Sequence, residues 1–242
     1  MNRKLLAAAI ALTAWTGSAS AIVVSDSTGN GLQTVLDNAT VGGDSTIDVN
    51  DDQINDSFDS YWEIVGGGGS TTTLVFELAG KRDSNTFGIY DKTDSSNYVE
   101  LFAGSDSASA QKTLTIDGSR AVFVDGVDQS ITLGSSQFGF YLARPGVEFY
   151  SDSSLNGGGT DQMAAYQGNN VDTLDLAGLG EILWTDDKYI IAWEDLPYNS
   201  SDKDVNDLVV LVDGVVNVPE PGTLALLGLG LAGLGAARRR KA

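Results

Sequence analysis

Between residues 22 and 218 the apolar positions fall in short runs separated by Gly, Asp, Asn and Ser. Nine runs stand out: 73–79, 86–90, 98–103, 113–116, 121–124, 138–143, 147–150, 188–193 and 208–212. Turn dipeptides such as Asp117-Gly118, Asp125-Gly126 and Pro145-Gly146 lie between them. Short β-rich runs with this punctuation predict an all-β fold, an antiparallel, jelly-roll-like β-sandwich. In 188–193, Tyr189, Ile191 and Trp193 share one face while Ile190 and Ala192 share the other. The run 208–212 is apolar on both faces, so these two predict central strands covered from both sides. One short N-terminal helix is expected, because Leu32, Val35 and Leu36 are spaced i, i+3, i+4 between Asn30-Gly31 and Asn38.

The two ends follow different patterns. Arg3 and Lys4 precede an apolar run from Leu5 to Trp15, and Ala19-Ser20-Ala21 forms a small-residue cleavage site. That order predicts a secretory signal peptide over residues 1–21, cut by signal peptidase at Ala19 and Ala21. At the other end, Pro219-Glu220-Pro221 leads into a 16-residue small and apolar run, 222–237, and then Arg238-Arg239-Arg240-Lys241. As a helix the run measures about 24 Å, short of a hydrocarbon core of roughly 30 Å. It can still cross with local thinning, and the arginines hold its end in the cytoplasm. Gly228, Gly230 and Gly233 spell G-x-G-x-x-G inside this run, where no strand-turn-helix unit exists to bind a dinucleotide. The expected organisation is a signal peptide (1–21), a lead-in segment (22–69, ending near Gly66–Gly69), a β-sandwich domain (70–217) and a transmembrane sorting tail (218–242).

Composition removes several chemistries. The chain of 242 residues has no Cys and no His, which excludes disulfides, thiol and Ser-His catalysis and Cys/His zinc sites. The net charge is −19, and residues 22–218 hold 8 Lys and Arg against 32 Asp and Glu, a net −24. Nucleic acid is therefore an unsuitable partner, whereas a hard cation is a suitable one.

The densest acidic stretch links the two central strands. Glu194, Asp195, Asp202, Asp204, Asn206 and Asp207 offer six oxygen-bearing side chains in one loop. On extended chain, Asp202, Asp204 and Asn206 would face one way. Calcium takes six to eight such oxygens, so Ca2+ is the expected cofactor, against an ordinary solvated loop. An EF-hand is not expected, because Asp207 stands where its glycine is required, Asp213 where its terminal Glu belongs, and 208–212 reads as strand. A second patch, from Asp48 through Asn50, Asp51 and Asp52 to Asp56 and Asp59, offers a weaker cation site but is expected to be a solvated loop. Asp161, after Gly157–Gly159, is a spare oxygen donor or an ordinary turn residue.

The tail, with its Pro219-Glu220-Pro221 motif, apolar helix and Arg238–Arg240 cluster, resembles the PEP-CTERM sorting signal of Gram-negative bacteria. The resemblance implies a transient inner-membrane anchor, cleavage by exosortase, and release to the cell surface or extracellular matrix. The body, over about 74–213, resembles the domain-of-unknown-function family 4114. It does so through Thr86–Tyr90, Val99–Phe102, Phe138–Leu142, Asp161–Tyr166 and, most specifically, Trp193-Glu194-Asp195-Leu196-Pro197 with Asp202-x-Asp204-x-Asn206-Asp207. Relatives often carry His where this chain has Gln162. That resemblance implies a secreted domain with no agreed activity, and its recurring acids favour calcium.

No enzyme is expected. Glu63, Glu77, Glu100 and Glu148 are the glutamates a glycosidase would need in a pair, and their spacing selects none. Asp26-Ser27-Thr28-Gly29 is a poor match to an aspartic protease, with an extra residue and no second copy. The expected function is a non-enzymatic, calcium-stabilised structural or adhesive role in exopolymer or biofilm. The alternative is a carbohydrate-binding module for matrix exopolysaccharide, with Tyr61-Trp62, Tyr141, Tyr150, Tyr166 and Tyr198 as candidate stacking residues.

Overall fold

The structure, a computed structural model, describes residues 21–25, 29–65, 71–80, 85–104, 106 and 110–219, with 71–80 as backbone alone. The signal peptide with Ala19, and the tail with Glu220, Pro221 and Arg238 to Arg240, lie outside the described residues. Ala21 and Pro219 are the outermost ones. Among the described residues no helix is long and apolar enough to cross a membrane.

The body is an antiparallel β-sandwich. One sheet contains β1 (Tyr61–Ile64), β3 (Thr86–Asp91), β4 (Asp94–Phe102), β8 (Phe138–Arg144) and β15 (Val215–Val218) in the order β15-β1-β8-β3-β4, with β9 (Val147–Tyr150) also paired to β8. The other contains β2 (Thr71–Gly80), β5 (Gln111–Ile116), β6 (Ala121–Val124), β7 (Val127–Thr132), β10 (Met163–Gln167), β13 (Lys188–Trp193) and β14 (Leu208–Asp213). Its order is β10-β13-β14-β2-β5-β6-β7. All nine runs predicted from the apolar pattern lie on these strands. A separate ribbon pairs β11 (Thr173–Leu176) with β12 (Gly180–Leu183).

Period-two alternation builds the main core. Trp62, Phe87, Ile89, Phe138, Phe140 and Leu142 of one sheet meet Met163, Tyr189, Ile191, Trp193, Val210 and Val212 of the other. A second core lies on the outer face of the larger sheet, where Tyr166, Ile190, Ala192, Val209 and Leu211 are covered from outside. The cover comes from Leu32 and Leu36 of helix α1 (Leu32–Ala39), Ile47 and Val49 of the following loop, and Leu174 and Trp184 of the ribbon region. This double cover explains why β13 and β14 are apolar on both faces. Burying one such aliphatic side chain contributes about 1.5–3 kcal/mol. The segment 22–69 thus supplies both strand β1 and six of the sixteen buried residues of the second core. A four-residue helix α2 (Asp56–Asp59), capped by the Asn55 side chain, turns the chain into β1.

Candidate metal centre

The connection from β13 to β14 is the acidic loop 194–207. Leaving β13, Glu194 enters the protein and is 0 % exposed; Asp195, Asp204 and Asp207 are also buried, while Asp202 is exposed. Two carboxylate trios form here, Glu194 with Asp195 and Asp207, and Glu194 with Asp202 and Asp204. Within each trio one oxygen from every residue lies within 4.8 Å of the others. Glu194 belongs to both, and neither of its buried oxygens makes a well-formed hydrogen bond, although the Asp207 carboxyl and the Ser201 hydroxyl lie close by. Burial, and then the Asp207 carboxyl beside it, pushes Glu194 up to about 8. Desolvation and a like charge both disfavour the ionised form, and a bound divalent cation reverses both.

The fold holds this loop from three sides. Gln162, fully buried, donates through Nε2 to the carbonyls of Glu194 and Leu196 and accepts from the Tyr198 amide at 2.7 Å. The Asp195 amide donates to Asp207 Oδ2 at 3.0 Å, and Asn85 donates to Asp195 Oδ2 at 3.0 Å. From the N-terminal segment, the amides of Ser25 and Leu32 donate to the carbonyls of Lys203 and Asp204 at 2.7 and 3.0 Å. Lys203 and Val205 take the left-handed conformation, with φ of 65° and 51°. For a β-branched residue this is a genuine outlier, costing on the order of 1–3 kcal/mol. It persists because the Val205 side chain is sunk in the second core while the amides above fix the flanking carbonyls.

Five of the six residues predicted as oxygen donors therefore converge. The sixth, Asn206, donates its side-chain amide to the Asn30 carbonyl. Asp213 pairs with Lys188 at 3.5 Å on the far end of β14. In the second acidic patch, Asp48 accepts from the amides of Asn50 and Asp51, as turn aspartates do, but Asp56 and Asp59 are buried on α2 rather than solvated. Asp161 lies outside both trios; one oxygen accepts the amides of Gln162 and Met163, and burial with the facing Asp56 carboxyl pushes it up to about 7. The Asp56–Asp161 pairing spans 105 positions and has no local sequence signal. Of the aromatic candidates, Tyr61, Trp62, Tyr141 and Tyr166 are buried, while Tyr198 packs at the edge of the second core under Lys203.

Strand β15 ends at Val218, so the chain leaves the sandwich where the tail begins. Residues 217–241 match the PEP-CTERM protein-sorting motif. The PEP-CTERM match implies export and processing by exosortase, and it takes in the last two residues of β15. No curated protein matches the chain. Similar solved structures include the Ralstonia solanacearum high-affinity mannose-binding lectin, at 10% identity and a TM-score of 0.32, covering 66% of this chain and 96% of that one. Another is the C-terminal domain of the BC2L-C lectin from Burkholderia cenocepacia, at 14% identity and 0.31, covering 67% and 97%. Scores this low carry no argument about this chain.

Proposed function

We propose that the exported body is a non-enzymatic, calcium-organised β-sandwich with a structural or adhesive role at the cell surface or in the exopolymer matrix. The observation that carries calcium is Glu194, fully buried, without a well-formed hydrogen bond on either oxygen, and common to two carboxylate trios. Flexible carboxylates of this kind, with loop carbonyls and water, supply the all-oxygen shell that calcium prefers. The ion would neutralise the acids, fix loop 194–207 and tie the N-terminal segment to the sheet through the amides of Ser25 and Leu32. The resemblance of 193–207 to domain-of-unknown-function family 4114 belongs to the same reading. The PEP-CTERM tail supports the location at the cell surface or in the matrix.

The test is a calorimetric melt of the full chain in calcium and in chelator, alongside the double variant Asp204→Asn/Asp207→Asn. A calcium-dependent rise in Tm that the variant loses supports the reading. Equal Tm values with and without millimolar calcium would make these acids a solvated loop and overturn it.

A further inference from the structure

A second site lies on the outer face of the smaller sheet, remote in sequence from the acidic loop. The inner face of that sheet holds Phe87, Ile89, Val99, Leu101, Phe140 and Phe149, so the alternate residues point outward. Strand pairing then sets Glu100, Gly88, Tyr141 and Tyr150 side by side across four strands. The next row is Tyr98, Tyr90 and Gly139, and the row on the other side is Thr86, Ala143 and Glu148. The two glycines are there to admit rings. A Cβ on Gly88 would sit 2.7 Å from Tyr141 Cε1 and collide with the Val99 carbonyl, and one on Gly139 would collide with the Tyr90 ring. Tyr141 and Tyr90 thus lie over glycine in the strands beside them.

The result is a cleft of about 220 Å³ walled by Tyr98, Tyr141, Tyr150, Glu100 and Glu148, with Thr86 and Ala143 leaving room between them. That volume is below the range of about 300–1,000 Å³ typical for drug-sized ligands, so it suits a single small group. Tyr98 is 53 % exposed and its ring stands 5.4 Å from that of Tyr141 at 67°, so the two rings form adjacent walls. Tyr141 is only 4 % exposed, yet its hydroxyl has no hydrogen-bond partner. Tyr150 donates to Glu148 at 2.7 Å. The lining includes two carboxylates and no basic side chain. The field is negative throughout: after burial, Glu100 is the largest cause raising the Tyr141 hydroxyl, and the hydrogen bond to Glu148 that raising Tyr150.

We propose that this cleft binds an organic ammonium group, held by the Tyr98, Tyr141 and Tyr150 rings and neutralised by Glu100 and Glu148. Aromatic faces attract cations through their quadrupole, and the attraction grows where water is displaced. A neutral polyol would satisfy the Tyr141 hydroxyl but gain nothing from the negative charge of Glu100 and Glu148, which an ammonium group uses. Glu100 and Glu148 are themselves exposed, so neither is dried out as the acid of a glycosidase must be.

The test follows tyrosine ring resonances of the 13C-tyrosine-labelled full chain, at constant calcium, during titration with tetramethylammonium and with glucosamine. The neutral counterparts are tert-butanol and glucose. The expected result is saturable shifts of Tyr98, Tyr141 and Tyr150 with the cations alone; the tighter of the two tells a free quaternary ammonium from an amino-sugar unit. Tyr98→Ala weakens binding about two- to thirty-fold, the range of one cation–π contact. Glu100→Gln/Glu148→Gln weakens it and flattens its salt dependence, while the melting temperature confirms that these surface variants fold. Equal shifts from the neutral counterparts, no saturable shift from either cation, or undiminished binding in both variants would overturn the proposal.

Discussion

Replacing Glu194 by Gln separates a calcium ligand from a merely buried side chain, because the two roles predict opposite signs. The residue has no well-formed hydrogen bond to lose, and Gln keeps its volume and can still face Asp207 and Ser201. In chelator at pH 8 the substitution removes a buried carboxyl that faces Asp207, so the variant melts no lower than the wild type. In calcium the order reverses. At a free ion concentration 100 times Kd the wild type gains about 2.7 kcal/mol. For a folded body of 197 residues, each kcal/mol moves Tm by about 2–4 °C, so the gain is about 5–11 °C. A variant with a hundredfold weaker site gains about 0.4 kcal/mol, roughly 1 °C. Scanning calorimetry of both proteins in both conditions reads the crossing. A variant that melts below the wild type by the same margin with and without calcium would refute the reasoning and make Glu194 a packing residue.

Three further outcomes follow from the geometry. Glu194, pushed from 4.5 up to about 8, and Asp161, pushed from 3.8 up to about 7, bind more protons folded than unfolded. In chelator, urea-unfolding free energy should therefore fall as pH rises from about 4.5 to 8, and calcium should shallow that slope; a rise over the same window would contradict it. Gln162→Ala should weaken calcium affinity in a titration by releasing three loop contacts; unchanged affinity would contradict it. Gly88→Ala should destabilise by at least about 1–3 kcal/mol in urea unfolding, the cost of overpacking, since the added Cβ meets the Val99 backbone carbonyl as well as Tyr141.

Much of the sandwich was legible because nine strands are short runs rich in β-branched or aromatic residues, bounded by turn residues. The strands that were not legible lack one or the other. Met163–Gln167 is alanine-rich, yet it pairs along its whole length with β13 and is buried on both faces by that context. Val127–Thr132 is a polar edge strand with no strongly buried residue. Tyr61–Ile64 is four residues long and follows an acidic stretch that reads as turn. The acidic loop itself was legible as a cluster, since composition alone concentrates the carboxylates there. The reason for their convergence was not: alternation requires extended chain, and Lys203 and Val205 are left-handed. That kink brings Asp202 and Asp204 to Glu194 and sends Asn206 to Asn30. The tyrosine cleft draws on four strands between Thr86 and Tyr150, and its sole local trace is a glycine inside each of two aromatic-rich strands, Gly88 and Gly139.

The most direct measurement is a crystal structure of the protein grown with calcium, with the ion located by its anomalous scattering. The account predicts one ion in loop 194–207, about 2.3–2.6 Å from a Glu194 oxygen and from at least two of Asp195, Asp202, Asp204 and Asp207, with loop carbonyls and water completing six to eight oxygens. A well-ordered loop at millimolar calcium with no ion beside Glu194 would contradict it.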